Sequence, residues 1–543
     1  MLRLISALVF CLISLQIFAN ETQDIALEKN TALSVLIAQL PNTKLRELPP
    51  LIDQLAQTNA PQLKPIFQSL IEGDLYYIKS NKQVVNAVKE SSKNYALADI
   101  LTNAPLTAVT KSKITKIRTN NSIRGQIRDL LAQIDFTDPN KKVRLEAVNQ
   151  LLTNPNDVGI KLINKLYAQE KNKDVAALMS TVLFVEQLKN GTPTEQLNAV
   201  KKLDNSLQPT VKNAMTDLLT QLEEQNNQDE LKQALTQSLG MIEQQTTIFQ
   251  VLENLFFGLS LGSVLLLAAI GLAITFGVMG VINMAHGEMM MLGAYTTYVI
   301  QLAFPTLIEY SLLMAIPAAF LVSGLVGIII ERGVIRFLKG RPLETLLATF
   351  GISLILQQLV RTVFSPLNRQ VAAPEWMSGS LQINPIFSIT FNRLYIVIFS
   401  LMVFFSLLLI LKKSSLGLHV RAVSQNRDMA RALSIKSDWV DAITFGLGSG
   451  IAGIAGVVLS QLTNVGPNLG QAYIIDSFLV VVFGGVGNLW GTLVAALSLG
   501  TFNKVLEPSM GPVLANIIVL VGLVLFIQKR PKGLFPQKGR AAE

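Results

Sequence analysis

Cysteine and histidine are nearly absent from this chain, whose 543 residues include one cysteine and two histidines. The cysteine, Cys11, lies in an apolar stretch at the N-terminus, so a chain cleaved beyond that stretch contains none. This excludes disulfides, thiol catalysis and cysteine-ligated metals from the mature protein. No Gly-Lys-Ser/Thr phosphate-binding loop occurs, and no patch interleaves basic with aromatic residues. The chain is therefore not expected to hydrolyse nucleotides or to bind nucleic acid.

Apolar runs long enough to cross a bilayer are missing between residues 20 and 243, whereas beyond residue 248 the chain is almost continuously apolar. The positive charge follows the same division, because 19 Lys and Arg face 12 Asp and Glu after residue 243. Basic residues in short loops between apolar runs are typical of membrane topology. We therefore predict a signal peptide over 1–19, a helical domain over 20–245 and a transmembrane domain over 246–543.

The N-terminus has the pattern of a secretory signal peptide. Arg3 precedes an apolar stretch over residues 4–15, and Ala19 offers a small-residue cleavage position. Twelve apolar residues are too few to span a hydrocarbon core of about 30 Å comfortably, which disfavours a membrane anchor. The domain that follows is then predicted to be extracytoplasmic.

Residues 20–245 are predicted to be helical throughout. Leu33, Leu36, Ile37 and Leu40 follow helical spacing, and prolines separate this run from later ones. The stretches 143–148 and 196–203 resemble each other at a separation of about 52 residues, which indicates a helical-repeat array of the HEAT kind. An irregular helical bundle is the alternative. We find no catalytic constellation here, so we expect a docking role or a spacer role.

Nine hydrophobic runs predict about eight or nine membrane-crossing helices, and the fold class is all-α. The runs cover about 255–280, 286–303, 310–331, 343–364, 394–411, 439–462, 472–487, 489–506 and 513–528. The seventh and eighth are short enough to form one re-entrant pair instead. Basic loops at 332–341, 412–436 and 529–540 predict the cytoplasmic side. Nine crossings then place the N-terminal domain outside and the C-terminus inside.

A polar cluster of Asn283, His286 and Glu288 directly follows the first hydrophobic run. A charge at the bilayer centre costs about 2.5–3.5 kcal/mol on insertion scales, so the cluster is expected to face the protein interior or a solute path. The structural alternative is a hydrogen-bonded pair of His286 and Glu288 that holds the break between two helices. Further polar residues are predicted to line the path: Gln357, Gln358, Gln461, Asn464, Asp476 and Asn488.

Two other segments stand out in the apolar half. Residues 484–488 read Gly-Gly-Val-Gly-Asn and are predicted to break a helix within the membrane. The basic loop 412–438 is predicted to form a short surface helix that a motor subunit grips, or that anionic lipid holds. Its expected apolar side is Ala422, Val423, Met429, Ala430 and Leu433, with Arg421, Arg427 and Arg431 in solvent.

Four segments, in this order, resemble the inner-membrane permeases of ATP-binding-cassette (ABC) importers for branched-chain amino acids, the LivH-like family. The segments are 283–295, 417–435, 483–491 and 530–535, and the resemblance spans about 250–536. It implies a bacterial inner-membrane permease that is not itself an enzyme and carries no cofactor. The implied partners are a second, LivM-like permease, two cytoplasmic ATPase subunits that use ATP, and a periplasmic solute-binding protein. The implied ATPase-coupling residues are Gly417, Arg421, Ala422, Asn426, Ala430 and Leu433.

The chain departs from this family in two places. Ser434 stands where the family usually has glycine, and serine lacks the ready access of glycine to positive φ, which leaves the turn there open. The large N-terminal extension resembles instead the urea-transporting permeases of the family, which implies urea as the solute. A branched-chain or other amino-acid importer is one alternative, and a passive urea or amide channel is another. A membrane enzyme using His286 and Glu288 is disfavoured, because no nucleophile or metal-ligand set accompanies them.

Overall fold

The computed structural model describes residues 32–58, 60, 62–89, 94–225 and 229–536. The predicted signal peptide over 1–19, including Cys11, lies outside the described residues. The chain divides into two compact units, one that ends at Ile242 and one that begins at Glu243.

The first unit begins with three short helices, α1 (Ala32–Asn42), α2 (Leu48–Gln57) and α3 (Leu63–Glu72). An antiparallel five-stranded sheet follows, with strand order β4-β3-β2-β1-β5. The strands are β1 (Leu75–Ile78), β2 (Val84–Lys89), β3 (Asn94–Asp99), β4 (Pro105–Thr110) and β5 (Ile114–Lys116). The prediction that this domain is helical throughout is therefore wrong for residues 75–116. These runs are rich in Val, Thr and Tyr, which favour a pleated sheet.

Six helices complete the first unit, and asparagine side chains set where several of them begin. The helices are α4 (Asn121–Phe136), α5 (Lys141–Thr153), α6 (Asp157–Leu166), α7 (Lys173–Asn190), α8 (Pro193–Leu203) and α9 (Pro209–Gln225). The side chains of Asn120, Asn156 and Asn172 each accept a hydrogen bond from a backbone N–H in the following first turn. Such caps satisfy amide groups that a helix leaves unpaired.

The two similar sequence stretches lie in α5 and α8, and they bury corresponding residues. Ala147 and Val148 of α5 join Ala199 and Val200 of α8 in one apolar core. A repeat array of the HEAT kind remains a prediction, because this shared core also fits an irregular bundle.

A bidentate ion pair ties α5 to the segment before α7. Arg144 Nε and Nη2 donate to the two carboxylate oxygens of Glu170 at 2.9 and 3.0 Å. Burial raises the pKa of Glu170, but hydrogen bonds from the Asn172 N–H and from Arg144 outweigh it, so this pKa lies below its ordinary value. The carboxylate therefore stays ionised at neutral pH, which keeps the pair intact.

The second unit contains a helix in each of the nine predicted apolar runs. The helices are α10 (Asp229–Met279), of which the part from Glu243 on belongs to this unit, α11 (His286–Ala303), α12 (Ser311–Gly333), α13 (Pro342–Phe364), α14 (Phe391–Lys413), α17 (Ser437–Ser460), α18 (Leu469–Gly484), α19 (Leu489–Met510) and α20 (Pro512–Lys529). Two short helices, α15 (Ser415–Gln425) and α16 (Arg427–Ala432), occupy the basic loop after α14. A small hairpin of β6 (Ser380–Gln382) and β7 (Ser388–Thr390) lies between α13 and α14.

Among the described residues, seven helices are long and apolar enough to cross a membrane, namely α10, α12, α13, α14, α17, α19 and α20. Helix α18 has 16 residues, which at 1.5 Å per residue spans about 24 Å. Helix α19 has 22 residues and qualifies as a span by length and composition, whereas the re-entrant pair of the seventh and eighth runs stays an alternative prediction. The prediction of a polytopic helical membrane protein is confirmed.

Small residues bring α10, α11 and α17 into backbone contact at the centre of the second unit. A Cβ added to Gly293 of α11 would lie 2.6 Å from the Gly453 carbonyl carbon of α17. A Cβ on Gly448 of α17 would lie 2.7 Å from the Gly271 carbonyl oxygen of α10. These glycines therefore let the three helices pack closely.

Candidate functional site

The chain breaks between α10 and α11, and polar groups hold the break. Gly280 follows α10 with a φ of +66°. The Asn283 side-chain oxygen accepts from the Ala285 N–H at 3.0 Å, and Thr349 Oγ1 of α13 accepts from the Met284 N–H at 3.1 Å. These bonds satisfy the N–H groups of Met284 and Ala285, which lie between the two helices and have no partner within a helix. Asn283 is buried, and its side chain holds the turn that leads into α11.

Glu288 lies in the first turn of α11 and is bound by side chains of α13. Its Oε1 accepts from Ser353 Oγ at 2.9 Å and from Gln357 Nε2 at 2.7 Å. Its Oε2 is buried and has no partner among the described residues. A carboxyl in the first turn also benefits from the positive end of the helix dipole. Glu288 and Gln357, which we predicted as path residues, therefore meet in one buried polar cluster.

His286 lies two residues before Glu288 but binds a different helix. Its Nε2 donates to the Ala268 carbonyl oxygen of α10 at 2.9 Å, and its Nδ1 has no partner among the described residues. The alternative of a mutual His286–Glu288 pair is therefore wrong. Residues two apart on a helix do not face each other. Each side chain instead ties the start of α11 to one neighbouring helix.

Thr349 and Ser353 belong to the site, although we did not predict them. With Thr345 and Gln357 they form a stripe of buried polar residues at four-residue spacing along the apolar helix α13. That spacing places them on one helix face, which is a signal readable from the sequence. Gln358 is the next residue along the helix and is exposed on another side.

The remaining predicted path residues lie elsewhere. Gln461 follows α17, where its Nε2 donates to Ser460 Oγ at 3.1 Å, and Asn464 is exposed beyond it. The Asn488 oxygen accepts from the Gly491 N–H at 3.2 Å and caps α19. None of these three shares hydrogen bonds with the Glu288 cluster in the described part of the chain. The structure therefore does not bring all the predicted path residues together.

Asp476 faces a separate cavity of about 450 Å³ between α10, α18, α19 and α20. Asn503 of α19 and Asn516 of α20 line the same cavity, and Asn503 Nδ2 donates to Asn516 Oδ1 at 2.9 Å. The other lining residues are apolar, among them Leu261, Leu265 and Leu523. We call this space the Asp476 cavity. Within the described residues, no group of three His, Asp or Glu side chains is placed to hold a metal ion.

The basic loop after α14 forms two helices rather than one. The Ser414 hydroxyl caps α15 by accepting from the Gly417 N–H at 3.2 Å, and the Asn426 oxygen caps α16 by accepting from the Met429 N–H at 3.0 Å. Gly417 lies against the backbone of Leu411 at the end of α14, where a Cβ would lie 2.6 Å from the Leu411 Cα. Asn426 and Gly417 therefore shape this loop.

The expected single apolar side of this loop is divided between the core and the surface. Val423 and Ala430 are buried with Val420 and Val440, and Ala422 packs partly against them. Met429 and Leu433 are exposed by 59% and 69%. Arg421 and Arg431 are exposed, as predicted, and Arg421 Nη1 donates to the Leu411 carbonyl oxygen at 2.8 Å. The prediction is wrong for Arg427, which is partly buried.

Arg427 and Arg431 of α16 bind carboxylates in the first two turns of α17. Asp441 is fully buried and accepts from Arg427 Nη1 and Nη2 at 2.6 and 3.2 Å, and Lys339 also pairs with it. Arg431 Nη2 donates to Asp438 at 3.3 Å. A buried carboxylate needs such partners to offset the loss of water. The ion pairs therefore fasten α16 to the end of the buried helix α17.

Comparison with known proteins assigns the apolar part of the chain to a family. The family described as "Branched-chain amino acid transport system / permease component" matches residues 254–527, just over half of the chain. The chain belongs to this permease family. It is therefore a multi-pass membrane transport subunit of the ABC type.

The permease is similar to curated relatives over nearly their whole length. It is 30% identical to the high-affinity branched-chain amino acid transport system permease protein BraD of Pseudomonas aeruginosa, over 53% of this chain and 96% of BraD. It is 30% identical to LivH of Escherichia coli K12, over 52% and 94% of the two chains. The ribose import permease protein RbsC of the same strain is 25% identical over 47% of this chain and 78% of its own. No solved structure matches the permease significantly.

The glycine segment of the permease pairs with its C-terminal basic segment. The Leu534 and Phe535 N–H groups donate to the carbonyl oxygens of Phe483 and Gly484 at 2.9 and 3.2 Å. Asn488 Nδ2 donates to the Phe535 carbonyl oxygen at 3.2 Å. Gly485 has a φ of +101°, and a Cβ there would lie 2.6 Å from that oxygen. The glycine segment and the C-terminal basic segment therefore form one structural unit, which the Asn488 side chain holds together.

Proposed function

We propose that this permease forms, with a second LivM-like permease, the transmembrane path of an ATP-driven importer for urea or a short amide. The observation that carries the proposal is the pair of helices α15 and α16 in a chain of this permease family. These helices are fixed to the membrane helices on one side and expose Met429 and Leu433 on the other. Exposed apolar residues with basic neighbours form a docking surface for a soluble subunit. Two cytoplasmic ATPase subunits would bind there and use ATP.

The ion pairs offer a route from that surface to the Glu288 cluster. Movement of α16 displaces the start of α17, because Arg427 and Asp441 are held together inside the protein. Helix α17 in turn contacts α11 through Gly453 and Gly456. Because the backbones of these two helices are in direct contact, α11 moves when α17 moves. Glu288 lies at the start of α11 and moves with it. We propose that this movement opens and closes the path.

Urea as the solute is supported by architecture. The first unit, which contains the described residues up to Ile242, precedes the family match at 254–527. Such an extension resembles the UrtB-like urea permeases. Urea is neutral and rich in hydrogen-bonding groups, so side-chain amides such as Gln357 suit it. A branched-chain amino acid is the second candidate, because the names of BraD and LivH specify that solute class.

The proposed importer function also implies the remaining partners and the orientation of the chain in the membrane. A periplasmic solute-binding protein would deliver the solute to a permease in the bacterial inner membrane. The N-terminal unit would lie outside and the C-terminus in the cytoplasm, because the basic loops mark the inner face. The chain itself needs no cofactor for this role.

Substitution of Leu433 by Glu tests the docking surface in the complete importer. A buried charge opposite the ATPase is expected to lower ATP-dependent uptake at least tenfold and to release the ATPase subunits on purification. Leu381→Glu is the matched control, because Leu381 of β6 is also exposed but lies in the loop before α14. Uptake is measured with labelled urea and labelled leucine at low external concentration.

The outcomes separate the candidate functions. Uptake of urea alone, lost on ATP depletion, supports the urea importer, whereas uptake of leucine alone supports the second candidate. Flux that survives both ATP depletion and Leu433→Glu identifies a passive channel and overturns the proposal.

A further inference from the structure

We propose that the Asp476 cavity binds the transported solute by accepting hydrogen bonds from its N–H groups. The inference rests on the proposed importer function and assigns to it a binding site with a stated ligand chemistry. The cavity is distinct from the Glu288 cluster, since its walls come from α10, α18, α19 and α20.

The ionisable side chain of Asp476 is unusual among the apolar residues of this cavity. Asp476 lies seven residues after the start of α18, which places it about 10 Å along that helix. Its side chain is half-buried, and no described residue donates a hydrogen bond to it. A carboxyl within a membrane is costly and marks a functional site by default, especially when it faces a cavity. The Glu288 carboxyl, by contrast, accepts hydrogen bonds from Ser353 and Gln357.

The two asparagines extend the polar surface at a similar depth. Asn503 lies seven residues before the end of α19, and Asn516 lies four residues after the start of α20, or about 10 and 6 Å from the two helix ends. Only one residue, Gly511, separates those two ends. The bond from Asn503 Nδ2 to Asn516 Oδ1 fixes both amides and leaves the Asn503 oxygen free to accept.

This arrangement selects the class of ligand. The Asp476 carboxylate and the Asn503 oxygen accept hydrogen bonds, so they match a solute with two or more N–H donors. The negative carboxylate repels anions, and the leucines around it offer no competing polar group. Both urea and the ammonium group of an amino acid meet this description. A volume of about 450 Å³ is about fifteen times the 30 Å³ share of one water molecule, so a small hydrated solute fits.

Two substitutions of Asp476 distinguish these solutes in the complete importer. Asp476→Leu removes both acceptor oxygens of residue 476 and is expected to lower uptake at low concentration at least tenfold for either solute. Asp476→Asn keeps one acceptor oxygen, so uptake of neutral urea is expected to fall less than threefold and uptake of an ammonium-bearing solute at least tenfold. Glu344→Gln is the matched control, since this exposed carboxylate pairs with Arg341 at the surface. Wild-type amounts of importer in the membrane and retained ATPase activity show that the variants fold.

Protection of a single cysteine gives a readout that does not depend on transport. Cys11 is the only native cysteine, so it is removed and Asn503→Cys is labelled with a thiol reagent in the purified complex. Urea or leucine at millimolar concentration is expected to slow labelling at least threefold. Val505→Cys is the control, because Val505 is exposed on the same helix and does not line the cavity.

Each result decides the inference. Protection at residue 503 but not at residue 505, together with loss of uptake in Asp476→Leu, supports it. Absence of protection by both solutes, or unchanged uptake in Asp476→Leu, overturns it while leaving a working importer in place. Protection at residue 503, together with a wild-type complex that transports neither solute, overturns the proposed function and retains the binding site.

Discussion

At the scale of single residues, Ser434 shows how the coupling loop keeps a turn despite losing a glycine. Its φ is +64°, in the left-handed region. The Ser434 and Ile435 N–H groups donate to the carbonyl oxygens of Arg431 and Ala430, both at 3.0 Å, which closes the end of α16. This is the pattern in which glycine usually ends a helix. The substitution therefore leaves the turn intact and stores backbone strain in it.

Replacement of Ser434 by glycine is expected to stabilise the permease by about 0.5–1 kcal/mol. A left-handed conformation costs an L-residue roughly 1–2 kcal/mol, and the greater chain entropy of glycine offsets part of that gain. The measurement is the thermal unfolding midpoint of the purified permease in detergent. Ser424→Gly, within α15, is the control and is expected to destabilise. A lower midpoint for Ser434→Gly would contradict the strain.

The polar cluster also shows the reach of sequence reasoning for individual residues. Apolar surroundings identify Glu288 and His286 as unusual, since charge is costly there. The partners Ser353 and Ala268 depend on which helices pack against α11, and the sequence does not specify that packing. The sequence shows the polar stripe on α13, but it does not show which helix that stripe faces.

At the scale of secondary-structure elements, glycine faces determine how closely the central helices pack. Hydrophobic run length is enough to predict the nine apolar helices, because in lipid a helix satisfies its backbone N–H and C=O groups within its own segment. In the first unit the same search for apolar helical spacing missed five strands. Their alternation is short, and apolar residues such as Val84 and Val88 are also four apart, which fits a helix pattern locally.

Gly293→Ala is expected to destabilise the permease by about 1–3 kcal/mol, because the new methyl group meets the Gly453 backbone of α17, which has no side chain to move aside. Gly351→Ala in α13 is the matched control. A Cβ there meets no atom within 4 Å, so the change is expected to be neutral or to stabilise the helix. Thermal unfolding in detergent compares the two variants. Equal midpoints would show that α11 and α17 can separate without cost.

At the scale of the whole molecule, helix α14 separates two loops that have different expected environments. The loop over residues 365–390 precedes it and contains the hairpin of β6 and β7. The loop containing α15 and α16 follows it. If α14 is a single span, these loops lie on opposite faces of the membrane. The distribution of basic residues predicts which face is which, but only a labelling experiment establishes it.

Cysteine labelling with a membrane-impermeant reagent is expected to place residue 383 outside and residue 433 inside. Ile383→Cys and Leu433→Cys are made singly, and both positions are more than half exposed in the structure. The first is expected to react in intact inner-membrane vesicles of native orientation, and the second only after lysis. The opposite result reverses the topology, and reaction of both before lysis excludes α14 as a span.

The pairing of residues 534 and 535 with residues 483 and 484 has a consequence for biosynthesis. The ribosome adds Leu534 about 50 residues after Gly484, which at about 5–20 residues per second is a delay of about 3–10 s. During that interval α19 and α20 are made while two carbonyl groups of the glycine segment still await their donors. The end of α18 therefore reaches its final structure after the helices that follow it, and a chain interrupted in this interval leaves an exposed backbone for quality-control proteases.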